Sequence, residues 1–396
     1  MIYTAIMGFG TVGSGVADLL FDNADRVMAS VGEEVTLKKI LDLREFPSNR
    51  FSSLITHHFE DLLNDPEIKI VVECMGGTTF AYDYTKKLLL AGKHVVTSNK
   101  DLVALHGAEL LSIAKEKNIN YLFEASVGGG IPVLRPLHED VAANRVTEIC
   151  GILNGTTNYI LTNMAENGAE YADTLLEAQH LGYAEANPTK DVDGIDTANK
   201  VSILSSLAFG KHVYPSSIAT EGIRSITQDD ILFAKSIGCS IKLIGRAVLD
   251  NEGAVYAYVA PHLVAASSEL SSVNGVFNGV VIDGDFVGRL MFYGKGAGKY
   301  PTASAVVGDV MNAAKHLDEH VCPYWEDGAS ISEGSEFESR WYIRCDEPCD
   351  ASYFDKFDMI SAFAFMTGKM TNHNFRRVMD IFRKKYKVVN AFRVLD

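Results

Sequence analysis

The first chemically informative residues lie near the N-terminus, where glycines recur at a fixed spacing. The pattern G-x-G-x-x-G is formed by Gly8, Phe9, Gly10, Thr11, Val12 and Gly13. After a strand, the first glycine permits a tight turn, the second lets the backbone approach a pyrophosphate, and the third lets helix and strand pack closely. N–H groups at the start of the following helix add a partial positive charge. The loop predicts a dinucleotide site, against the alternative of a glycine turn without a ligand.

The end of the second predicted strand bears on which dinucleotide would bind. That strand ends in Leu41-Asp42-Leu43-Arg44. An acid at this place binds the ribose hydroxyls of NAD, whereas an arginine favours the 2′-phosphate of NADP. Because Asp42 and Arg44 are both present, the sequence leaves the choice between NAD and NADP open.

Two further segments place chemically useful groups directly after predicted strands. Lys100 follows the strand His94–Thr97, so it points toward the ligand crevice of a parallel sheet or is a plain surface lysine. Residues 124–132 contain three glycines and a proline, which release backbone carbonyls from regular pairing. Such carbonyls serve as ligands of a hard cation, or the segment is an interdomain hinge.

A third segment, residues 182–200, brings acids and a lysine to the start of an apolar helix. Asp196 and Lys200 are four residues apart, hence on one face of a helix that begins near Thr197. The plain alternative is an exposed ion pair. Since the helix continues with mostly apolar residues, we expect it to be buried and the pair to face a pocket.

Strands and helices that could position these groups alternate in the first third of the chain. The predicted strands are 2–7, 36–43, 68–74, 94–97 and 121–123. The predicted helices are one from Thr11, 82–90 and 102–117. This alternation is typical of βαβ units with a parallel sheet, whose strand ends bind ligands at one edge.

The rest of the chain changes character. In the middle, we predict the strands 146–153, 241–248, 255–259, 276–282 and 287–293, and the helices 158–166, 172–181 and 197–209. Residues 318–338 are interpreted as a linker, and in the tail the predicted order is strand 341–343, helix 353–357, strand 360–366, helix 375–382 and strand 388–392. The expected fold class is α/β: a Rossmann-type N-terminal domain, an α+β domain with an antiparallel sheet, and a small α+β tail.

Composition excludes several classes of protein. Of the 396 residues, 47% are hydrophobic, which is enough to form hydrophobic cores and excludes a wholly disordered chain. The formal net charge is −15 and the lysines and arginines are scattered, so we expect no nucleic-acid partner. Six cysteines show no metal or redox spacing, and the N-terminus lacks the basic start of a signal peptide. No apolar run approaches a membrane span. We expect a cytoplasmic protein without a membrane partner.

Taken together, these motifs resemble homoserine dehydrogenases. The segments that carry the resemblance are the glycine loop, 97–100, 124–132, 151–159 (GILNGTTNY), 182–200 and 295–306 (KGAGKYPTASAV), in this order. The resemblance implies reversible, NAD(P)-dependent interconversion of L-homoserine and L-aspartate 4-semialdehyde in threonine, methionine and isoleucine biosynthesis. It further implies a homodimer or higher homo-oligomer.

The same resemblance implies roles for individual residues. The catalytic group would comprise Lys200, its partner Asp196 and Lys100. The substrate would be contacted by Glu185, Asp191, Thr156, Gly182 and Tyr183. The dinucleotide would be contacted by the glycine loop, Asp42, Arg44, Lys100, Gly296 and Gly298. A monovalent cation, typically sodium, would be bound by the backbone carbonyls of Glu124, Val127, Gly129 and Ile131.

Domain boundaries follow from the same comparison. We expect an NAD(P)-binding domain at 1–130, with 300–318 packing back on it, a substrate and dimerisation domain at 131–299, and a short ACT-like module at 339–396. The turn 345–349 lacks the glycine usual in ACT domains. The tail is therefore either a shortened ACT domain that no longer binds threonine, or a module that forms the dimer. Since no kinase-like segment precedes the glycine loop, we expect the monofunctional form.

Two other classes of protein remain as alternatives. A dehydrogenase of another amino-acid carbonyl would keep the glycine loop but lose the spacing of Glu185, Asp196 and Lys200. A non-catalytic regulator that senses NAD(P)H would lose Lys100 or Lys200. All four residues are present.

Overall fold

The computed structural model describes residues 1–250 and 252–395, which form two compact units. The first unit contains residues 1–145, 202–215 and 294–329. The second contains residues 146–201, 216–293 and the described part of 330–396. The predicted division into three domains stays a prediction.

A six-stranded parallel sheet is the centre of the first unit. In chain order its strands are β1 (Ile2–Met7), β2 (Val35–Leu41), β3 (Ile55–Thr56), β4 (Ile68–Glu73), β5 (His94–Thr97) and β6 (Tyr121–Leu122). Their order in the sheet is β3-β2-β1-β4-β5-β6, and every pairing is parallel. The apolar residues of β1 and β4 are buried because parallel sheets are covered on both faces. The predicted Rossmann-type domain is confirmed.

Within the described residues, seven helices, numbered along the chain, belong wholly to the first unit. They are α1 (Thr11–Asp22), α2 (Ala24–Val31), α3 (Glu60–Leu63), α4 (Thr79–Leu90), α5 (Lys100–Glu116), α6 (Leu134–His138) and α12 (Lys299–Lys315). Helix α12 packs against α1, where a Cβ on Gly15 would lie 3.1 Å from the Cβ of Ala303. Helix α12, although it lies late in the chain, therefore belongs to the first unit.

A ten-stranded sheet organises the second unit. Its strands are β7 (Val146–Ile152), β8 (Ala219–Thr220), β9 (Cys239–Leu249), β10 (Val255–Ala265), β11 (Phe277–Gly284), β12 (Gly288–Lys295), β14 (Trp341–Cys345), β15 (Phe357–Met359), β16 (Ala364–Thr367) and β18 (Val388–Leu395). The order is β12-β11-β7-β9-β10-β18-β14-β16-β15, with β8 beside β10. The β7–β9, β7–β11 and β9–β10 pairs are antiparallel, as predicted, whereas β10 and β18 are parallel.

The remaining elements of this part of the chain are helices and one short ladder. The helices are α7 (Gly155–Asn167), α8 (Tyr171–His180), α9 (Thr189–Val192), α10 (Ile195–Phe209), α11 (Gln228–Ser236) and α13 (Asn372–Phe382). The ladder joins β13 (Glu338–Ser339) to β17 (Met370–Thr371). Helix α10 begins in the second unit, and its residues from Ser202 belong to the first.

Two predictions for the tail are wrong. The helix predicted at 353–357 is a short 3₁₀ turn, Ala351–Tyr353, followed by strand β15. Phe354 is drawn into the core against Phe365 and Phe382, so the chain cannot continue helically over the surface. The strand predicted from residue 360 begins only at Ala364, because the N–H groups of Ile360 and Ser361 both donate to the Ala364 carbonyl in a tight turn.

Candidate active site

The glycine loop connects β1 to α1 and has the close packing that its pattern predicts. Gly8 has φ +92°, and a Cβ there would lie 2.8 Å from the Cys74 carbonyl oxygen. A Cβ on Gly13 would collide with the carbonyl oxygen of Gly8. On Gly10, in contrast, a Cβ would meet no described atom within 4 Å. The loop therefore presents open space at its second glycine, where the pattern expects a pyrophosphate, and the residues fit a dinucleotide.

Asp42 and Arg44 form an ion pair just after the end of β2. The guanidinium donates to the Asp42 carboxylate from Nε at 3.0 Å and from Nη2 at 2.9 Å. The backbone N–H of Phe9 donates to the same carboxylate at 2.7 Å, which ties it to the glycine loop. Chiefly through the Arg44 hydrogen bond, the pKa of Asp42 falls to about 2. The Asp42 side chain is 8% exposed and that of Arg44 63%, so the cation is the more accessible member of the pair.

Lys100 is the first residue of α5, and a hydrogen-bonded turn precedes it. Asn99 caps the helix by accepting the Leu102 N–H at 3.1 Å. The Thr97 hydroxyl donates to the buried Glu73 carboxylate at 2.5 Å and accepts the Asn99 N–H at 2.9 Å. Burial raises the pKa of Glu73 to about 7. The turn that carries Lys100 is therefore anchored to the end of β4.

The predicted cation loop packs beside another glycine segment. A Cβ on Gly129 would lie 2.6 Å from the Gly296 carbonyl oxygen, and the Gly130 N–H donates to the Lys295 carbonyl at 3.2 Å. Gly298, with φ +125°, precedes α12. The structure thus brings the loops that contain Gly129 and Gly296 together in the first unit.

The Glu124 side chain anchors the segment in which it lies. Its carboxylate accepts the N–H groups of Val133, Leu134 and Arg135 at 2.6 to 2.8 Å, at the start of α6. Its own N–H donates to Asp309 on α12 at 2.8 Å. Both ends of the loop that contains Val127 and Ile131 are therefore fixed by a buried carboxylate.

In the second unit, the predicted pair on α10 is present and buried. The Lys200 ammonium donates to Asp196 Oδ2 at 2.7 Å and to the Leu153 carbonyl at 2.6 Å. The two side chains are 10% and 5% exposed. Helix α10 lies directly on β9, since a Cβ on Gly245 would lie 2.4 Å from Val201 Cγ2. This contact fixes the helix that carries the pair.

Asn154, which the sequence analysis did not single out, links three parts of this site. Its amide Nδ2 donates to Asp191 Oδ1 and to Asp196 Oδ2, both at 2.8 Å. Its Oδ1 accepts the Thr157 N–H at 2.8 Å and so caps α7. An asparagine before a glycine and two threonines is an N-cap signal that could have drawn attention to it.

The other predicted substrate residues lie in the segment before α9 and at the start of α7. The Thr156 hydroxyl donates to the Tyr183 carbonyl at 2.6 Å. Gly182 has φ +76°, and Glu185 is exposed, its carbonyl accepting from Gln179 at 3.0 Å. Within the second unit, the structure therefore brings Asn154, Asp191, Asp196 and Lys200 together and joins Thr156 to Tyr183.

Comparisons with known proteins identify the family to which this chain belongs. The NAD-binding domain model of homoserine dehydrogenase matches residues 8–124, and the homoserine dehydrogenase model matches residues 132–311. The homoserine dehydrogenase of Bacillus subtilis is 43% identical over 320 residues, 80% of this chain and 73% of the relative. The chain belongs to the homoserine dehydrogenase family.

Solved structures extend the likeness over the whole fold. The crystal structure of a homoserine dehydrogenase from Thiobacillus denitrificans has a TM-score of 0.92 at 32% identity, covering 100% of this chain and 98% of that one. A hyperthermophilic archaeal homoserine dehydrogenase in complex with NADPH has a TM-score of 0.66 at 27% identity and covers 79% of this chain and 97% of its own. The chain is an NAD(P)-dependent oxidoreductase of amino-acid biosynthesis. In the described ranges, no helix is long and apolar enough to cross a membrane.

Proposed function

We propose that this chain interconverts L-homoserine and L-aspartate 4-semialdehyde with Lys200 as the group that exchanges a proton with the substrate oxygen. The observation that carries this assignment is the buried ion pair, because a lysine held by Asp196 and the Leu153 carbonyl keeps one orientation. NAD(P), when bound, supplies hydride acceptance and donation. The protein's contribution is position and charge.

The proton route follows from the same contacts. In homoserine oxidation, Lys200 as the neutral amine takes the hydroxyl proton and becomes the ammonium, and in the reverse direction the ammonium returns that proton to the developing alkoxide. Asp196 keeps the ammonium directed and balances its charge, and Asn154 holds Asp196 through a bond of 2.8 Å. The family resemblance assigns Lys100 as the second lysine at the reacting carbon.

Substrate recognition rests on opposite charges. The homoserine ammonium requires carboxylates, for which Asp191 and the exposed Glu185 are the proposed partners, with Thr156, Gly182 and Tyr183 beside them. The glycine loop, Gly296 and Gly298 would contact the dinucleotide, with Asp42 and Arg44 at the adenosine ribose. The exposed Arg44 guanidinium supports NADP over NAD.

Further proposals rest on the resemblance. The carbonyls of Glu124, Val127, Gly129 and Ile131 would bind a sodium ion. The enzyme would act as a cytoplasmic homodimer in threonine, methionine and isoleucine biosynthesis. The fixed ends of the 124–135 segment support the cation proposal, since a preformed loop costs less to order around an ion.

The direct test is the reduction of NAD⁺ and NADP⁺ by the purified chain, followed at 340 nm with L-homoserine, L-serine or L-threonine as substrate. We expect reduction with L-homoserine alone, and faster with NADP⁺. Equal rates with all three alcohols would contradict the substrate assignment. A clear preference for NAD⁺ would contradict the role given to Arg44 and leave the reaction itself in place.

A further inference from the structure

The carboxyl edge of the parallel sheet contains a buried acid to which the proposed reaction assigns no role. Glu73 is the last residue of β4 and is 0% exposed. It pairs with Met7 of β1 on one side and with Thr97 of β5 on the other. The strand order reverses between β1 and β4, and sheets of this kind bind dinucleotides at that point. Glu73 therefore ends a strand that borders the predicted dinucleotide crevice.

The Glu73 carboxylate closes a ring of hydrogen bonds between two turns. Its Oε1 accepts the Met75 N–H at 2.7 Å, and its Oε2 accepts the Thr97 hydroxyl at 2.5 Å. The Thr97 Oγ1 accepts the Asn99 N–H at 2.9 Å, and Asn99 Nδ2 donates to the Gly77 carbonyl at 2.8 Å. These contacts, which we call the Glu73 ring, tie the turn after β4 to the turn after β5.

The Glu73 ring holds backbone that borders open space. Gly77 has φ +75°, and a Cβ on Gly76 or Gly77 would meet no described atom within 4 Å. Asn99 Oδ1 accepts the Leu102 N–H at 3.1 Å and so caps α5, whose first residue is Lys100. The ring therefore fixes both the glycine turn after β4 and the backbone of Lys100.

An acid at this position costs stability, which distinguishes Glu73 from an ordinary core residue. Within the described ranges, no cationic side chain pairs with its carboxylate, and burial raises the pKa of Glu73 to about 7. An apolar residue would fill the same space without the free-energy cost of a buried carboxyl. Departures of this kind from a well-packed interior are expected chiefly at functional sites. The hydrogen bonds to the two turns are therefore the feature of Glu73 to be explained.

We propose that Glu73 is a positioning residue for the nicotinamide half of the dinucleotide and for Lys100. A dinucleotide-binding sheet consists of two mononucleotide-binding halves. Since the half with β1 and β2 would receive the adenosine, the half with β4 and β5 receives the nicotinamide. Because Glu73 is buried, it acts through the two turns and does not touch the ligand. The inference deepens the proposed function, on which the role of Lys100 rests.

The test compares two ligands that share the adenosine half, NADPH and ADP-ribose 2′-phosphate, which lacks the nicotinamide. Affinities for the full chain are measured by fluorescence titration and by calorimetry, respectively, with NADH and ADP-ribose in parallel. Glu73→Leu removes the carboxyl at similar volume, and Thr97→Val removes the hydroxyl that donates to it. We expect both variants to bind NADPH about 10-fold more weakly and the nicotinamide-free probe within about 2-fold of wild type. The value of kcat should fall about 10-fold or more, because a displacement of about 1 Å at a reacting group is that costly.

Conservative variants separate positioning from a loss of structure. Glu73→Gln keeps an acceptor for the Met75 N–H and an amide group beside Thr97, and Thr97→Ser keeps the hydroxyl, so both should bind NADPH as wild type does. Thr85→Val in α4 is the matched control, because Thr85 is also 0% exposed. Among residues 1–250 and 252–395, its hydroxyl has no hydrogen-bond partner, so the change should alter neither NADPH affinity nor kcat.

Three results would overturn the proposal. One is unchanged NADPH affinity and kcat in both Glu73→Leu and Thr97→Val. Another is an equal loss of affinity for NADPH and for the nicotinamide-free probe, which would indicate general loosening of the first unit. The third is a Thr85→Val variant that behaves like Thr97→Val. If Glu73→Leu does not fold, Thr97→Val and Thr97→Ser decide. The proposed function fails separately, when wild type reduces no dinucleotide with L-homoserine, and the binding titrations then still test the Glu73 ring.

Discussion

Replacement of Asn154 by alanine tests whether this residue organises the proposed catalytic group. The change removes a helix cap, which costs about 1 kcal/mol. It also removes two hydrogen bonds of 2.8 Å to the carboxylates of Asp191 and Asp196, each a charge-assisted bond of about 1.5 kcal/mol or more. Because Asn154 is 5% exposed, water replaces little of this loss. We expect the free energy of unfolding to fall by about 4 kcal/mol.

The same variant should also slow the reaction, because Asp196 loses the contact that holds it beside Lys200. We expect kcat to fall about 10-fold, equivalent to about 1.4 kcal/mol of the barrier. The assays are urea unfolding of the full chain and homoserine-dependent reduction of NADP⁺. Thr371→Ala is the matched control, since the Thr371 hydroxyl caps α13 by accepting the Asn374 N–H at 3.2 Å. Its loss should lower the free energy of unfolding by about 1 kcal/mol without changing kcat. An Asn154→Ala variant that loses less than about 1 kcal/mol and keeps its kcat would refute the reasoning.

Three further changes probe other parts of the account. Gly10→Val should abolish NADPH binding, measured by fluorescence titration, because the added side chain occupies the space of the pyrophosphate. The unfolding transition should stay unchanged, since a Cβ at this position meets no described atom within 4 Å. Glu73→Gln should remove part of the pH dependence of the free energy of unfolding. In the folded chain the buried acid keeps its proton up to about pH 7, whereas the unfolded chain releases it near pH 4.5. The free energy of unfolding of wild type therefore falls as the pH rises between these two values. A variant whose urea unfolding varies as steeply with pH as wild type would contradict this. Glu185→Ala should raise the KM for L-homoserine, whereas the exposed Asp173→Ala should not.

Local patterns predicted the first unit well because its signals are short-range. The apolar runs that become β1 and β4 and the glycines between β1 and α1 carry their structural requirements in consecutive residues. The Asp196–Lys200 contact could also be predicted, since residues four apart on a helix are neighbours.

Features that depend on distant segments could not be predicted in this way. The Leu153 carbonyl that accepts from Lys200 is 47 residues away in sequence, and Asn154 reaches Asp191 across 37 residues. In the tail, Phe354 is buried by Phe365 and Phe382, so tertiary packing overrides the helical pattern of 353–357. Pairing of β18 with β10 joins residues more than 120 apart and has no local signature.

The most direct test of the central claim compares two buried lysines of the second unit. Lys200→Ala removes the proposed acid–base group, and Lys242→Ala removes an ammonium that donates to the Val273 carbonyl at 2.6 Å and to Asn274 at 2.8 Å. We predict that Lys200→Ala lowers kcat by about 10² to 10⁴ with NADPH affinity nearly unchanged, whereas Lys242→Ala lowers stability and keeps kcat. A Lys200→Ala enzyme that keeps more than about a third of wild-type kcat would contradict the account.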